Sequence, residues 1–478
     1  MKKNLYIATV FIAILSFAAC KKALVEEPKS FLNPEQFFKT DEDAKQGVNG
    51  AYFWLVGSHP QRLFQQELWS YLDEECDNIL AKAVKGPLDI SPINAGYAQT
   101  MWNGCYRGVY TASQVIDKVP QSGSSAIKDR SVAEAKFLRA LYYYYLTGIF
   151  RDAPLVTDKN YLNVDETRKL PRTAAADIRK FMIADLNAAI AVLPATYPAA
   201  DKGRATKGAA QTLLTKVYLW NKDWKNAAAT AKAIQGYRLL DNYADVFKAD
   251  NEFNEESIFE IDFKKDLLNS YQHAFYSPEK TVNVEPFKSK SWYGSYVPFK
   301  AYANNFEAGD ARKASIIATG YNGAAFTPET AFNVDVWFGP KWWRLDADER
   351  NSGLDIYVFR YADVLLMLAE AANEDNDITT ALEAFNKVHV RAKLLPVVLT
   401  KDALRTAIYK ERGIELVGEG HRKFDLVRWG TWYDVAKTAI NAEAPLRANS
   451  LQKRYEYLPV PAAEVQKDPA LAPQNEGY

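Results

Sequence analysis

Histidine, cysteine and methionine are scarce in this 478-residue chain, at four, three and four residues. The histidines, His59, His273, His389 and His421, share no metal-ligand spacing, and neither His-Glu-x-x-His nor Cys-x-x-Cys occurs. No zinc site of the usual structural or catalytic kind is encoded. Net charge is missing too, because 59 basic residues balance 59 acidic ones. A chain with no general positive field has little hold on a phosphate backbone, so nucleic acid is excluded as an expected partner. Gly203 to Gly208 has the glycine spacing of a phosphate loop, but Ala209 stands where the gripping lysine belongs. Ser-x-x-Lys occurs at Ser125, Ser277 and Ser450 without Ser-Asp-Asn or Lys-Thr-Gly, and there is no Gly-x-Ser-x-Gly elbow. The sequence assigns no catalytic residue, cofactor or metal.

What is present is apolar and aromatic. Hydrophobic residues make up 48% and charged residues 25%, enough for a large packed core and too ordered a composition for wholesale disorder. The length fits two or three ordinary domains, or one large domain built from repeats. The start, Met1-Lys2-Lys3 followed by an apolar run from Leu5 to Phe17 and then Ala18-Ala19-Cys20, reads as a secretory signal. It is too short for a membrane span and ends on Lys21-Lys22. A cysteine at the cleavage point looks like a bacterial lipobox, with Cys20 acylated as the mature N-terminus and Phe17 where leucine is commonest. Acyl chains then anchor a soluble body to lipid. An oxidising compartment permits a disulfide between Cys76 and Cys105, but the sequence reads more simply as two separate buried thiols.

Residues 23 to 38 form an extended leader whose Phe31, Phe37 and Phe38 can pin it to the body. Helices are predicted from Thr40, an N-cap before Asp41-Glu42-Asp43, then over about Gln61–Ala83, Tyr97–Val119, Lys128–Phe150 and Thr173–Leu193. Ala210, Leu213, Leu214, Val217 and Tyr218 make one apolar stripe, and a short turn leads to an alanine-rich helix from Trp224. That unit resembles a tetratricopeptide pair, and it recurs around Leu365–Ala372 and Ala381–Val388. Between the two lies a stretch of other character, about Asp241 to Leu354, where Ser257–Phe263 alternates with the period of a strand. From Ser270 to Leu345, 17 of 76 residues are Phe, Trp or Tyr. Rings concentrated in the least helical segment point to a ligand-binding surface.

Carboxylates need no local signature to hydrolyse glycosides. Asp73, Glu74, Glu75 and Asp77, near Trp69 and Tyr71, are the densest such cluster, though a solvated helix face accounts for them as well. Further on, Glu411, Glu415 and Glu419 follow at helical spacing and repel unless cations intervene. Arg412, Arg422 and Arg428 can supply them, with Asp425 bridging and His421 hydrogen-bonded within, as a structural lattice locking two helices.

These residues also carry a likeness. The leader Glu27-Pro28 through Phe31-Leu32-Asn33-Pro34-Glu35-Gln36-Phe37-Phe38, Asn49-Gly50-Ala51-Tyr52, Glu134 through Tyr143, Gly203 through Ala210, Arg360-Tyr361-Ala362-Asp363-Val364-Leu365-Leu366-Met367, the Glu411–Trp429 run and the tail from Leu458 to Tyr478 occur in this order. Nearly end to end, the chain resembles the SusD/RagB family of outer-membrane nutrient-uptake lipoproteins. The resemblance implies a mostly α fold, with four tetratricopeptide-like helix pairs supporting an irregular, aromatic-rich insertion with short strands. It implies a non-catalytic lipoprotein on the cell outer membrane, facing the exterior, that binds a glycan or peptide and hands it to a SusC-like TonB-dependent barrel. Lys21-Lys22 depart from the acidic residues that often follow the lipid cysteine of exported members. The chain then divides into a signal peptide, 1–19, a helical part, 20–240, the insertion, 241–354, and a C-terminal helical part, 355–478, as one integrated body.

The family has no fixed binding motif, so the site is placed by chemistry. A sugar offers an apolar CH face to Trp or Tyr, and hydroxyls to planar polar groups. Trp292, Tyr293 and Tyr296 in one loop, Trp337, Trp342 and Trp343 in another, and Asp77 with Asn78 are the candidates, some of them expected to face solvent. Two other functions fit the same residues: a lipid-anchored helical glycosidase using Asp73, Glu74 or Asp77, and a scaffold whose helical grooves grip other proteins.

Overall fold

The computed structural model describes residues 37–57, 63–74, 76–82, 96–161, 169–330, 333–444 and 448–478. Cys20, Phe31 and the rest of the leader before Phe37 lie outside the described residues. Phe38 is buried against Gly47, where a Cβ would come within 2.4 Å of its ring, so glycine is what lets the leader's end lie on the first helix.

That helix, α1 (Asp41–Val56), starts as its sequence predicts: Thr40 accepts from the Asp43 amide and Asp43 accepts from the Thr40 amide, a reciprocal capping box. Next come α2 (Gly96–Lys118), α3 (Ala126–Phe150), α4 (Ala175–Val192), α5 (Lys207–Trp220) and α6 (Trp224–Lys232). Each packs on the next, and α1 also lies on α2 and α3. The hub is α3, whose run from Phe137 to Phe150 is buried on every side. Thr206 caps α5 by accepting from the Ala209 amide at 3.1 Å. The glycine-spaced Gly203–Gly208 segment is therefore a helix start, and Arg204 in it pairs with Glu134 of α3 at 2.9 Å.

After the insertion, α7 (Tyr361–Glu374), α8 (Ile378–Arg391) and α9 (Lys401–Glu415) form a second stack, followed by α10 (Arg422–Trp429) and α11 (Trp432–Glu443). The two alanine-rich pairs, far apart in sequence, meet in space because α6 packs on α7. Alanines at 227, 228, 231, 369 and 372, all buried, allow that close approach.

Two strand pairs fix the insertion. At its ends, β2 (Ser257–Ile261) runs antiparallel to β6 (Ile356–Arg360) with Ile261 opposite Ile356, zipping entry to exit. On the N-terminal side, β1 (Ile79–Ala81) pairs with β3 (Tyr296–Pro298). Within it, β4 (Ile317–Ala318) pairs with β5 (Trp337–Phe338). The strand over β2 matches the alternation of its sequence. The helix predicted over Gln61–Ala83 does not form as one element. A π-turn, Leu63–Glu67, and a short helix, Leu68–Asp73, stop where Glu74 turns extended, and Ile79–Ala81 joins the sheet. Pairing with a partner over 200 residues away overrides local periodicity.

The charged C-terminal run is buried and paired: Asp425 bridges Arg412 and Arg428 within it, but the glutamates take their cations from other elements. Arg312, from the insertion, reaches Glu411 at 2.7 Å and Glu415 at 3.0 Å. Arg360 reaches Glu415 and Glu419, both at 2.6 Å, and Arg391 also pairs with Glu415. Arg412 instead holds Asp363 at 2.9 Å and Asp425 at 2.7 Å, Arg428 holds Glu370 and Asp425, and Arg422 turns away to Asp77 at 2.6 Å. The glutamate ladder thus ties the insertion and β6 to the last helices, a wider union than two helices. His421 lies 3.5 Å from the Lys216 ammonium, and burial lowers its pKa to about 4, so it is neutral. Cys76 and Cys105 are both buried and free.

Candidate ligand-binding face

The rings of the insertion are sorted by the fold into a sealed set and an open set. Trp292, Tyr296, Trp337 and Trp342 are at most 4% exposed. Their expected role as solvent-facing ligand contacts is corrected: they are the insertion's own core. Trp342 stacks on Tyr276 at 4.9 Å, Tyr296 meets Trp69 edge-on and Phe275 at a tilt, Trp292 packs on Phe287, and Trp337 on Phe326. A segment with no long helix has no ready apolar stripe, so interlocked rings supply its burial, each bringing large area with few rotors. Trp342 is also covered by Gly418, where any Cβ would lie 2.5 Å from the indole.

Trp343 and Tyr293 are half-buried. Trp343 is oriented by its indole N–H, which donates to the Phe338 carbonyl at 3.0 Å, and by Phe287 against its ring. With Tyr321 and Leu345 it lines an open cavity of about 710 Å³, walled otherwise by Ala314, Pro340 and the remaining residues of 317–325. Tyr321 escaped the sequence reading; its signal was a lone tyrosine before Asn322-Gly323, a turn that lifts it to the rim. Tyr293 sits apart from this cavity, hydrogen-bonded to Glu349 and Arg350.

The polar candidates lie elsewhere. Asp77 receives both prongs of Arg422, at 2.7 and 2.6 Å, and this guanidinium lowers its pKa against the opposing effect of burial. Asn78 is buried beside it. Both line a second cavity of about 310 Å³ that shares no residue with the first.

Asp73 and Glu74 are sealed in. Asp73 accepts from Tyr276 Oη at 2.9 Å and from the Gly420 amide at 3.1 Å, and burial raises its pKa to about 7. Glu74 accepts from Tyr296 Oη. Both are buried, so among the described residues Asp73 and Glu74 make no exposed acid pair at the expected hydrolytic site. The arrangement the described residues make best suited to a hard cation is Glu252, Asp262 and Asp355, whose oxygens lie within 4.8 Å of one another at the β2–β6 end.

Fold and face together define a helical-repeat scaffold that presents a compact, ring-lined insertion. Residues 243–478 match the model of the SusD family, and residues 35–219 match one described as starch-binding associating with outer membrane. Over its whole length the chain is 30% identical to a SusD-like protein of Formosa agariphila, all of which is covered. The chain belongs to the SusD family. Among solved structures it superposes on a SusD homolog from Bacteroides thetaiotaomicron with a TM-score of 0.82 at 21% identity, covering 93% of this chain and 98% of that one. A laminarin-binding SusD-like protein matches with a TM-score of 0.74 at 26% identity, over 92% of this chain and all of the other.

Proposed function

We propose that the protein is a glycan-binding lipoprotein of the outer membrane that captures a nutrient oligosaccharide and passes it to a SusC-like TonB-dependent barrel, without a catalytic step. The observation that carries the glycan reading is the open cavity at Trp343 and Tyr321 in a chain of this family. Partly exposed rings suit a sugar's CH faces, and Thr319 and Asn322 on the same wall suit its hydroxyls. Likeness to a laminarin-binding relative supports a glycan over a peptide. Acylation of Cys20 supplies the anchor, and capture beside a barrel mouth raises the local ligand concentration. The burial of Asp73 and Glu74 and the pairing of Asp77 with Arg422 weigh against the glycosidase reading.

Isothermal titration with laminarin- and starch-derived oligosaccharides tests this. Wild type is expected to bind at least one series with no reducing ends released, and Trp343→Ala to lose most of the affinity. Release of new reducing ends, or full affinity in Trp343→Ala, defeats the reading.

A further inference from the structure

The cavity at Trp343 is made of two rings and a wall of small residues, and both features restrict what it can hold. Tyr321 stands on a short hairpin, Gly320–Tyr321 against Ala324–Ala325, closed by Asn322 and Gly323, both at positive φ. The hairpin is tight, because a Cβ at Gly320 would meet the Ala324 carbonyl oxygen at 2.4 Å. Trp343 lies 5.8 Å from Tyr321 between ring centroids, with the two planes at 70°. Both rings are partly exposed. The fully buried Phe287 packs edge-on against each of them, at 89° and 67°, and holds the angle between them. The two rings therefore form a corner and not a flat shelf.

No described residue lining this cavity is charged. Besides the rings, its polar side chains are the Thr319 hydroxyl and the Asn322 amide, both on exposed residues. Arg344, between the lining residues Trp343 and Leu345, lies among acids, with Asp355, Asp346 and Glu252 acting on its charge. Lys313, next to Ala314, is exposed, where water and salt screen it. An anionic glycan seated here gives up water around its carboxylates or sulfates and gains no paired cation. A neutral glycan pays no such penalty.

The corner selects by shape. Sugar units pack their CH faces on aromatic rings. In a flat β-1,4 ribbon successive faces lie in one plane and suit coplanar rings. In an α-1,4 or β-1,3 chain they turn with the helix of the backbone. Rings spaced at 5.8 Å receive neighbouring units, and the 70° between their planes fits a second unit turned relative to the first.

We infer that this cavity takes a neutral glycan whose backbone turns from unit to unit, with Trp343 holding one unit and Tyr321 setting the specificity for the turn. The inference rests on the reading of this cavity as the glycan site and adds charge and linkage geometry to it.

Isothermal titration of the whole protein with hexasaccharides tests this. Maltohexaose and laminarihexaose are neutral and turned, cellohexaose is neutral and flat, and hexagalacturonate is turned and charged. At least one of the first two is expected to bind at least about ten-fold more tightly than either of the others. Tyr321→Ala should weaken binding of the favoured sugar about five-fold or more and reduce its preference over cellohexaose to about two-fold or less. Tyr321→Phe, which keeps the ring, should restore the preference. Tyr321→Leu carries the test should Tyr321→Ala fail to fold. Cellohexaose or hexagalacturonate binding as tightly as the turned neutral chains, or an undiminished preference in Tyr321→Ala, overturns the inference while the cavity stays a glycan site. Binding of none of the sugars overturns both readings.

Discussion

Asp73 shows how one buried side chain sets a pH response. Burial raises its pKa to about 7, against an unfolded value near about 3.9, so the folded protein holds a proton there that the unfolded chain releases. That contribution is complete below about pH 4 and is lost as pH rises through 7. Wild type should therefore lose more stability than Asp73→Asn between pH 5 and about 8, read as the change in denaturation midpoint across that interval. The neighbours Trp342 and Trp343 divide along the same line of burial. Trp342→Ala removes a ring stacked on Tyr276 and should cost about 3–5 kcal/mol, whereas half-exposed Trp343→Ala should cost clearly less and report in ligand binding. Chemical denaturation of both variants separates the two. Composition reveals that the insertion is rich in rings. Which ring of the pair Trp342-Trp343 turns inward is set by a short 3-10 turn, Pro340–Trp342, that no periodicity marks.

At the scale of elements, contacts distant in sequence decide what local pattern leaves open. Gly108 of α2 faces Tyr142 of α3 so closely that a Cβ would lie 2.2 Å from its ring. Gly108→Ala should destabilise by about 1–3 kcal/mol despite its better helix propensity, measured as a lower denaturation midpoint. The N-cap of α1 at Thr40 and the stripe of α5 are local and were legible in the sequence; the caps of α3 at Ser125 and α5 at Thr206 are as local but were passed over as fragments of other motifs. The ladder Glu411, Glu415 and Glu419 was legible as a need for cations, but not its suppliers, because Arg312, Arg360 and Arg391 stand on other elements. Arg360→Met leaves Glu256, Glu415 and Glu419 short of their shared cation and should cost about 3–5 kcal/mol, with circular dichroism melting as the readout.

Across the whole molecule, the insertion is zipped at its base by β2 with β6 and clasped on its flank by β1 with β3, so it stands as a rigid part of the body. A capture protein working at a barrel mouth gains from a preformed face, because little ordering entropy is spent on binding. Solubilised from native membranes, the protein is expected to copurify with a large TonB-dependent barrel; recovery with assembly factors alone would favour the scaffold reading. The sequence by itself determined the helical class, the family likeness and the demand for buried cations, because capping, periodicity and charge spacing act between residues a few positions apart. Only the tertiary structure decided which rings are core, which cations answer which acids and where cavities open. Those outcomes depend on which surfaces meet after the chain has travelled hundreds of residues, and the side chains alone carry no record of that meeting.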